Sequence, residues 1–148
     1  MLNALTVDVE DYFHVQAFAD VVMPSQWCQF SPRVENNTHR LLEMFARRQI
    51  RATFFLLGWV AERCPALVRE IVSAGHEIGC HGYNHQMIGR ANAQAFRDDI
   101  QRAKAIVEDL AGTEVLCYRA PSYSVTSQTL WALDILHRAG FGSDSSTF

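Results

Sequence analysis

Short apolar runs alternate along this chain with stretches of helical period, and most of the runs stop at polar residues. The runs cover residues 5–9, 52–57, 76–80 and 115–118, and a last one opens at Phe141-Gly142-Ser143-Asp144. Between them stand amphipathic segments. One runs over Arg40 to Phe45 and stops near Gln49, with Asn37 or Thr38 as its cap. A second starts at Pro65 and ends at Gly75. The longest follows Asn92, its Phe96, Ile100, Ala103, Val107 and Leu110 making one stripe before Gly112. The last is capped by Ser127 and ends at Gly140. Such alternation predicts an α/β fold, a parallel sheet or barrel with helices outside. Functional groups then belong at the C-terminal ends of the strands. Residues 12–30 follow neither period. They are expected as a long loop whose Phe13, Phe18 and Trp27 are placed for substrate contact, whereas Trp59 and Trp131 read as core.

Composition narrows the function classes. The 148 residues suffice for one domain and one core, with 49% hydrophobic and 20% charged residues as in ordinary globular chains. A net charge of -3 gives no basis for nucleic-acid binding. No run of eighteen apolar residues offers a membrane span. The opening Met1-Leu2-Asn3-Ala4-Leu5 lacks a basic, then apolar, leader, so the expected location is cytoplasmic; a trimmed start would leave a periplasmic or envelope location open. The four cysteines form no Cys-x-x-Cys pair, which argues against a zinc knuckle.

Three of the five strand ends carry reactive side chains. The first ends in Asp8-Val9-Glu10-Asp11, the third in His81-Gly82-Tyr83-Asn84-His85, the fourth in Arg119-Ala120-Pro121-Ser122-Tyr123. Two histidines four apart, on a helical turn or tight loop, suit one divalent ion. With a carboxylate they make a three-ligand set for zinc or a similar metal, with positions left for water and substrate. Asp8 and Glu10 are two apart and share one face of an extended strand, so one can hold metal while the other takes a proton. Arg119 can orient the catalytic carboxylate by a paired hydrogen bond. Pro121 fixes the local backbone. Tyr123 offers its backbone N–H to a developing oxyanion or its ring to a sugar, and a plain core tyrosine fits the spacing equally well.

These three motifs, in this order, resemble the polysaccharide deacetylase family with its NodB-homology domain. Thr6-Val7-Asp8-Val9-Glu10-Asp11 matches the threonine and first aspartate of that family's Thr-Phe-Asp-Asp-Gly. His81 and His85 match its His-Ser/Thr-x-x-His, and Arg119-Ala120-Pro121 with Tyr123 matches its Arg-x-Pro and following aromatic. The acidic form of the first motif is similar to a branch found with bacterial exopolysaccharide loci. The resemblance covers nearly the whole chain. It implies a distorted (β/α) barrel, here about five β/α units of a single domain over residues 1–148, with more strands expected beyond. It also implies metal-dependent removal of acetyl groups from an N-acetylated polysaccharide or oligosaccharide.

Carried over by position, Asp8 is the base, His81 and His85 are ligands of a divalent metal such as Zn2+, Arg119 orients Asp8, and Tyr123 sits at the oxyanion. The family's metal aspartate directly follows its base, a place held here by Val9. Glu10, on the Asp8 face, is the favoured replacement and Asp11 the alternative. Asp144 falls where a fourth motif begins and, with Pro121 and Tyr123, is a substrate-binding candidate. The family's late general-acid histidine belongs to a strand beyond residue 148. The alternative function is therefore a non-catalytic metal- or glycan-binding remnant. The oligomeric state is open.

Overall fold

The structure, a computed structural model, describes residues 4–146. Five strands form one sheet: β1 (Thr6–Val9), β2 (Thr53–Leu56), β3 (Glu77–Cys80), β4 (Cys117–Tyr118) and β5 (Ser143–Asp144). They lie in sequence order and each neighbouring pair is parallel. Parallel neighbours need crossovers. These are supplied by α1 (Val34–Arg48), α2 (Gly58–Arg63) with α3 (Pro65–Ser73), α4 (Ala93–Ala111) and α5 (Trp131–Arg138). The result is the expected α/β architecture, five consecutive units of a (β/α) barrel left incomplete.

Strand periodicity divides the sheet into two faces. Val9, Leu56, Cys80, Tyr118 and Asp144 align across it, and all but Asp144 are apolar and buried. Together with Phe54 this face receives the helices: Phe45 of α1 meets Phe54 at 6.1 Å between ring centroids, and Phe96 of α4 meets Tyr118 at the same distance. Asp8, Phe55, Gly79, Cys117 and Ser143 align on the opposite face. One residue further on, backbone bonds from Leu57, His81, Arg119 and Ser145 to the preceding strand continue the ladder past the assigned strand ends. Glu10, Leu57, His81, Arg119 and Ser145 therefore stand side by side at the C-terminal rim.

Several helix starts differ from the sequence expectation. α1 begins at Val34, so Asn37 and Thr38 lie inside it. The carboxylate of Asp11 receives the Arg33 and Val34 N–H groups at 2.6 and 3.0 Å, a cap supplied from 22 residues away that local sequence cannot reveal. Ser127 does not cap α5, which starts at Trp131; the turn before it closes on Thr129, whose Oγ accepts from Thr126 N at 2.7 Å and donates to Ser124 O. Asn92 does cap α4, accepting from Ala95 N at 2.9 Å.

Gly58 opens α2 just after the end of β2. A Cβ there would stand 2.8 Å from the Tyr83 ring and 3.1 Å from Ala103, so glycine lets α2 press against α4. Residues 12–30 contain two 3-10 turns, Gln16–Phe18 and Pro24–Gln29. Phe13 and Trp27 are buried there among His14 and Trp59, and of the three proposed contact aromatics only Phe18 is exposed.

Candidate metal and hydrolytic site

Glu10, His81 and His85 converge at the rim. One potential ligand atom from each lies within 4.8 Å of the others. His85 Nε2 is 2.7 Å from Glu10 Oε2, and His81 Nε2 is 3.9 Å from the same oxygen. His81 extends from the end of β3. His85 is reached by a tight loop rather than a helical turn, with Gly82 at φ 73° and His85 itself at φ 51°. A non-glycine residue held in the left-handed region must be fixed by its surroundings.

The fixing comes from α4 and α2. The Asp99 carboxylate accepts the N–H groups of Tyr83 at 2.7 Å and Asn84 at 3.0 Å, directly beneath Gly82. From the start of α2, Gly58 and Trp59 donate to the carbonyls of Gly82 and Tyr83. Burial raises the Asp99 carboxyl above its usual range, and the two loop N–H groups work against that rise. Sequence reading passed over Asp99, because nothing in a helical pattern separates it from the solvated acids around it.

The donor set fits a divalent cation. His81 Nδ1 lies 2.8 Å from the Arg119 carbonyl, an oxygen that only accepts, so the neutral ring carries its proton on Nδ1. Its Nε2 lone pair then faces the Glu10 carboxylate, acceptor against acceptor. Glu10 Oε2 is itself buried without an aligned donor. A cation between them resolves both problems, and a backbone carbonyl orienting the imidazole is the usual support for a ligating histidine. Burial lowers the pKa of His81 and favours the neutral ring that a metal requires. For Glu10 burial acts upward, but the close His85 contact and the fields of His85, His81 and His14 outweigh it and hold the carboxyl below its usual range.

Beside this cluster Arg119 Nη1 donates to Asp8 Oδ1 at 2.8 Å. The expected paired contact is single. The other arms of Arg119 go to β5's end, Nη2 to Ser145 Oγ at 2.8 Å and Nε to Ser145 O at 3.3 Å. The guanidinium sits 4.2 Å from the centroid of Phe55 and 5.3 Å from that of Tyr123, and is only 6% exposed.

The remaining candidates are placed as follows. Asp11 caps α1 and is turned away from the histidines. Tyr123 lies at φ 50° in the turn after β4, and its N–H donates to Ala120 O at 3.0 Å, so the backbone-donor reading meets an N–H already committed. Its ring stays partly exposed beside Arg119. Pro121 is buried against the His81–His85 loop. Asp144 is on the helix face and spends its carboxylate on Ser146, whose Oγ accepts the Ala120 N–H at 2.6 Å. It braces the Arg119 turn. His39 pairs with Glu70 on the surface, and His76 packs at the N-terminal end of β3.

A model of the family described as polysaccharide deacetylase matches residues 23–141. Among curated proteins, a peptidoglycan-N-acetylglucosamine deacetylase of Bacillus cereus is 30% identical over 122 residues, covering 74% of this chain and 44% of the relative. A peptidoglycan deacetylase of Helicobacter pylori is 32% identical over 107 residues, covering 72% and 36%. The chain thus spans less than half the length of these relatives. Among solved structures, a putative polysaccharide deacetylase from Mycobacterium smegmatis superposes with a TM-score of 0.76 at 27% identity, over 95% of this chain and 49% of the other. A CE4-family pseudoenzyme from Bacillus anthracis shares the fold, with a TM-score of 0.72 at 21% identity over 95% and 41%.

Proposed function

Because the chain belongs to the polysaccharide deacetylase family, we propose that it carries the metal and base half of a hydrolase that removes N-acetyl groups from an amino-sugar polysaccharide. The observation that carries this reading is the convergence of Glu10, His81 and His85 on one point, next to an Asp8 carboxylate held by Arg119.

In this reading Glu10, His81 and His85 hold a divalent ion, zinc by the chemistry of two imidazoles and one carboxylate. A divalent ion there supplies Lewis acidity toward an amide carbonyl and toward water. Asp8 accepts the proton of the attacking water. Arg119 fixes the direction of that carboxylate, and Ser145 fixes Arg119. The Tyr123 ring, partly exposed beside Arg119, offers a face to the sugar. Hydrolysis breaks the amide C–N bond and yields acetate and a free amine. Peptidoglycan-type N-acetylated glycans are the substrate class the named relatives support. The acidic Asp8-Val9-Glu10-Asp11 form of the first motif supports an exopolysaccharide instead.

The test is acetate release from an N-acetylated chito-oligomer by the full-length protein, with and without a chelator. Release that the chelator abolishes and added metal restores is expected. Metal and glycan binding without release would make the protein a binding module.

A further inference from the structure

The two histidines of the site are held in different ways. His81 continues the β3 ladder, its N–H donating to Leu56 O at 2.8 Å, and its Nδ1 rests 2.8 Å from the Arg119 carbonyl. Backbone and ring are both fixed. His85 stands outside any strand, and its Nδ1 has no hydrogen-bond partner among the described residues. No acceptor behind the ring orients it as the Arg119 carbonyl orients His81. The direction of His85 toward Glu10 must then come from the turn that carries it.

Tyr83 is the middle residue of that turn, two positions from each histidine, and it is buried. Its side chain is keyed between α2 and α4. One ring edge lies over Gly58 of α2, where a Cβ would meet it at 2.8 Å, and the Arg102 guanidinium of α4 covers the ring 3.6 Å from its centroid. The hydroxyl donates to Glu62 Oε2 at 2.6 Å and accepts from Arg102 Nη2 at 2.7 Å. The same Nη2 donates to Glu62 Oε1 at 3.2 Å, so the three polar groups close a ring with one partner on each helix. The Glu62–Arg102 pair is half-exposed, and such pairs alone stabilise little. Here its two members fix both the donor and the acceptor direction of one phenol.

We propose that Tyr83, clamped at its hydroxyl by Glu62 and Arg102, is a positioning residue that aims His85 at Glu10. The turn holds Gly82 and His85 in the left-handed region, and a left-handed non-glycine residue persists only where its surroundings over-determine it. Asp99 and the Trp59 N–H hold the backbone of Tyr83. The phenol adds an anchor at the far end of the side chain. With both ends pinned, the turn cannot swing His85 away from Glu10 without drawing the Tyr83 ring out of its slot. The ring's packing and the hydroxyl's bonds are separable contributions, because phenylalanine fills the same slot. The proposal rests on the deacetylase reading for the metal that the aimed ring would hold.

The test uses the full-length protein and two readouts. One is zinc affinity by chelator competition. The other is the imidazole Cε1–H resonance of His85 in the metal-free protein, assigned through its loss in His85→Gln. Tyr83→Phe keeps the ring and removes the hydroxyl. It is expected to weaken zinc binding about threefold to tenfold, the equivalent of one net hydrogen bond. It should also move the His85 resonance while those of His39 and His137 stay in place. Glu62→Gln, which keeps an acceptor oxygen, should lose less. Adding it to Tyr83→Phe should cost nothing further, because both changes break the same contact. Ile71→Val, a core change in α3, should leave both readouts alone. Parent-like zinc affinity in Tyr83→Phe overturns the role. An equal loss in Ile71→Val also overturns it, by tracing the effect to stability. A parent that binds no zinc would fail the deacetylase reading. The metal-free resonance then decides for Tyr83, movement supporting the role and constancy overturning it.

Discussion

Arg119 and Asp8 meet at 2.8 Å although their strands are separated by two others. The space between is filled by Phe55 of β2, whose ring carries the guanidinium on one side and lies against Gly79 of β3. A Cβ at Gly79 would stand 2.5 Å from that ring. Gly79→Ala should therefore push Phe55 into Arg119 and cost about 1–3 kcal/mol of stability, the usual penalty for overfilling a packed site. Urea melts check this. Pairing Gly79→Ala with Phe55→Leu should restore much of the loss, and no restoration would place the strain elsewhere.

In the proposed function Asp8 takes the proton and does not hold the metal. Asp8→Asn should keep bound metal and lose acetate release by about 10²- to 10⁴-fold, the range for a removed general base. Metal content and turnover are measured on the same sample. Near-normal turnover would transfer the base role to another carboxylate.

Glu10 and Asp11 are neighbours with different tasks. Glu10→Gln should weaken metal affinity by about tenfold or more, as expected for damage to a ligand shell. Asp11→Asn should leave metal affinity nearly unchanged but lower stability by about 1 kcal/mol, because a charged acceptor is removed from the start of α1. A chelator competition and a thermal melt separate the two. Loss of metal in Asp11→Asn at unchanged stability would reverse the assignment.

This division shows what was legible in the sequence. Period-two alternation put Glu10 with Asp8 and set Asp11 opposite, and the strand-end rule placed His81 and Arg119 at one rim. Register was not legible. Nothing in the chain said that Ser145 would align with Arg119, or that Asp144 would fall on the helix face. Partners distant in sequence were equally hidden: Asp11 capping a helix 22 residues on, and Asp99 holding a loop 15 residues back. The aromatics of residues 12–30 read as loop because they follow no period, yet their packing around His14 makes them part of the site's wall.

His76 gives a pH dependence away from the metal. Its Nδ1 accepts the Ala52 N–H at 3.2 Å, and burial, then the Arg51 charge, lowers its pKa in the fold. Below the ordinary value of about 6.5 the unfolded chain binds a proton that the folded chain does not. Its stabilising contribution is thus full above that pH and lost as pH falls toward the folded value. His76→Asn keeps an acceptor but not the titration. The stability gap between parent and variant should be wider at pH 7.5 than at pH 5.5. A gap independent of pH would remove His76 from the acid response.

Asp99 offers the sharpest test of how the histidine loop is built, because it touches no ligand atom. Its two oxygens hold the Tyr83 and Asn84 N–H groups, and the loop between His81 and His85 must stay in the left-handed turns at Gly82 and His85 for both rings to face Glu10. Asp99→Ala takes the acceptor from those N–H groups and frees the turn. Metal affinity should then drop by about tenfold, the scale of outer-shell losses, with Glu10, His81 and His85 all intact. Asp99→Asn, which retains one acceptor oxygen, should fall in between. A surface change such as Glu70→Ala, which only breaks the His39 pair, should leave affinity unchanged. If Asp99→Ala binds metal like the parent, the loop is held by the Gly58 and Trp59 N–H groups and the Tyr83 side chain instead.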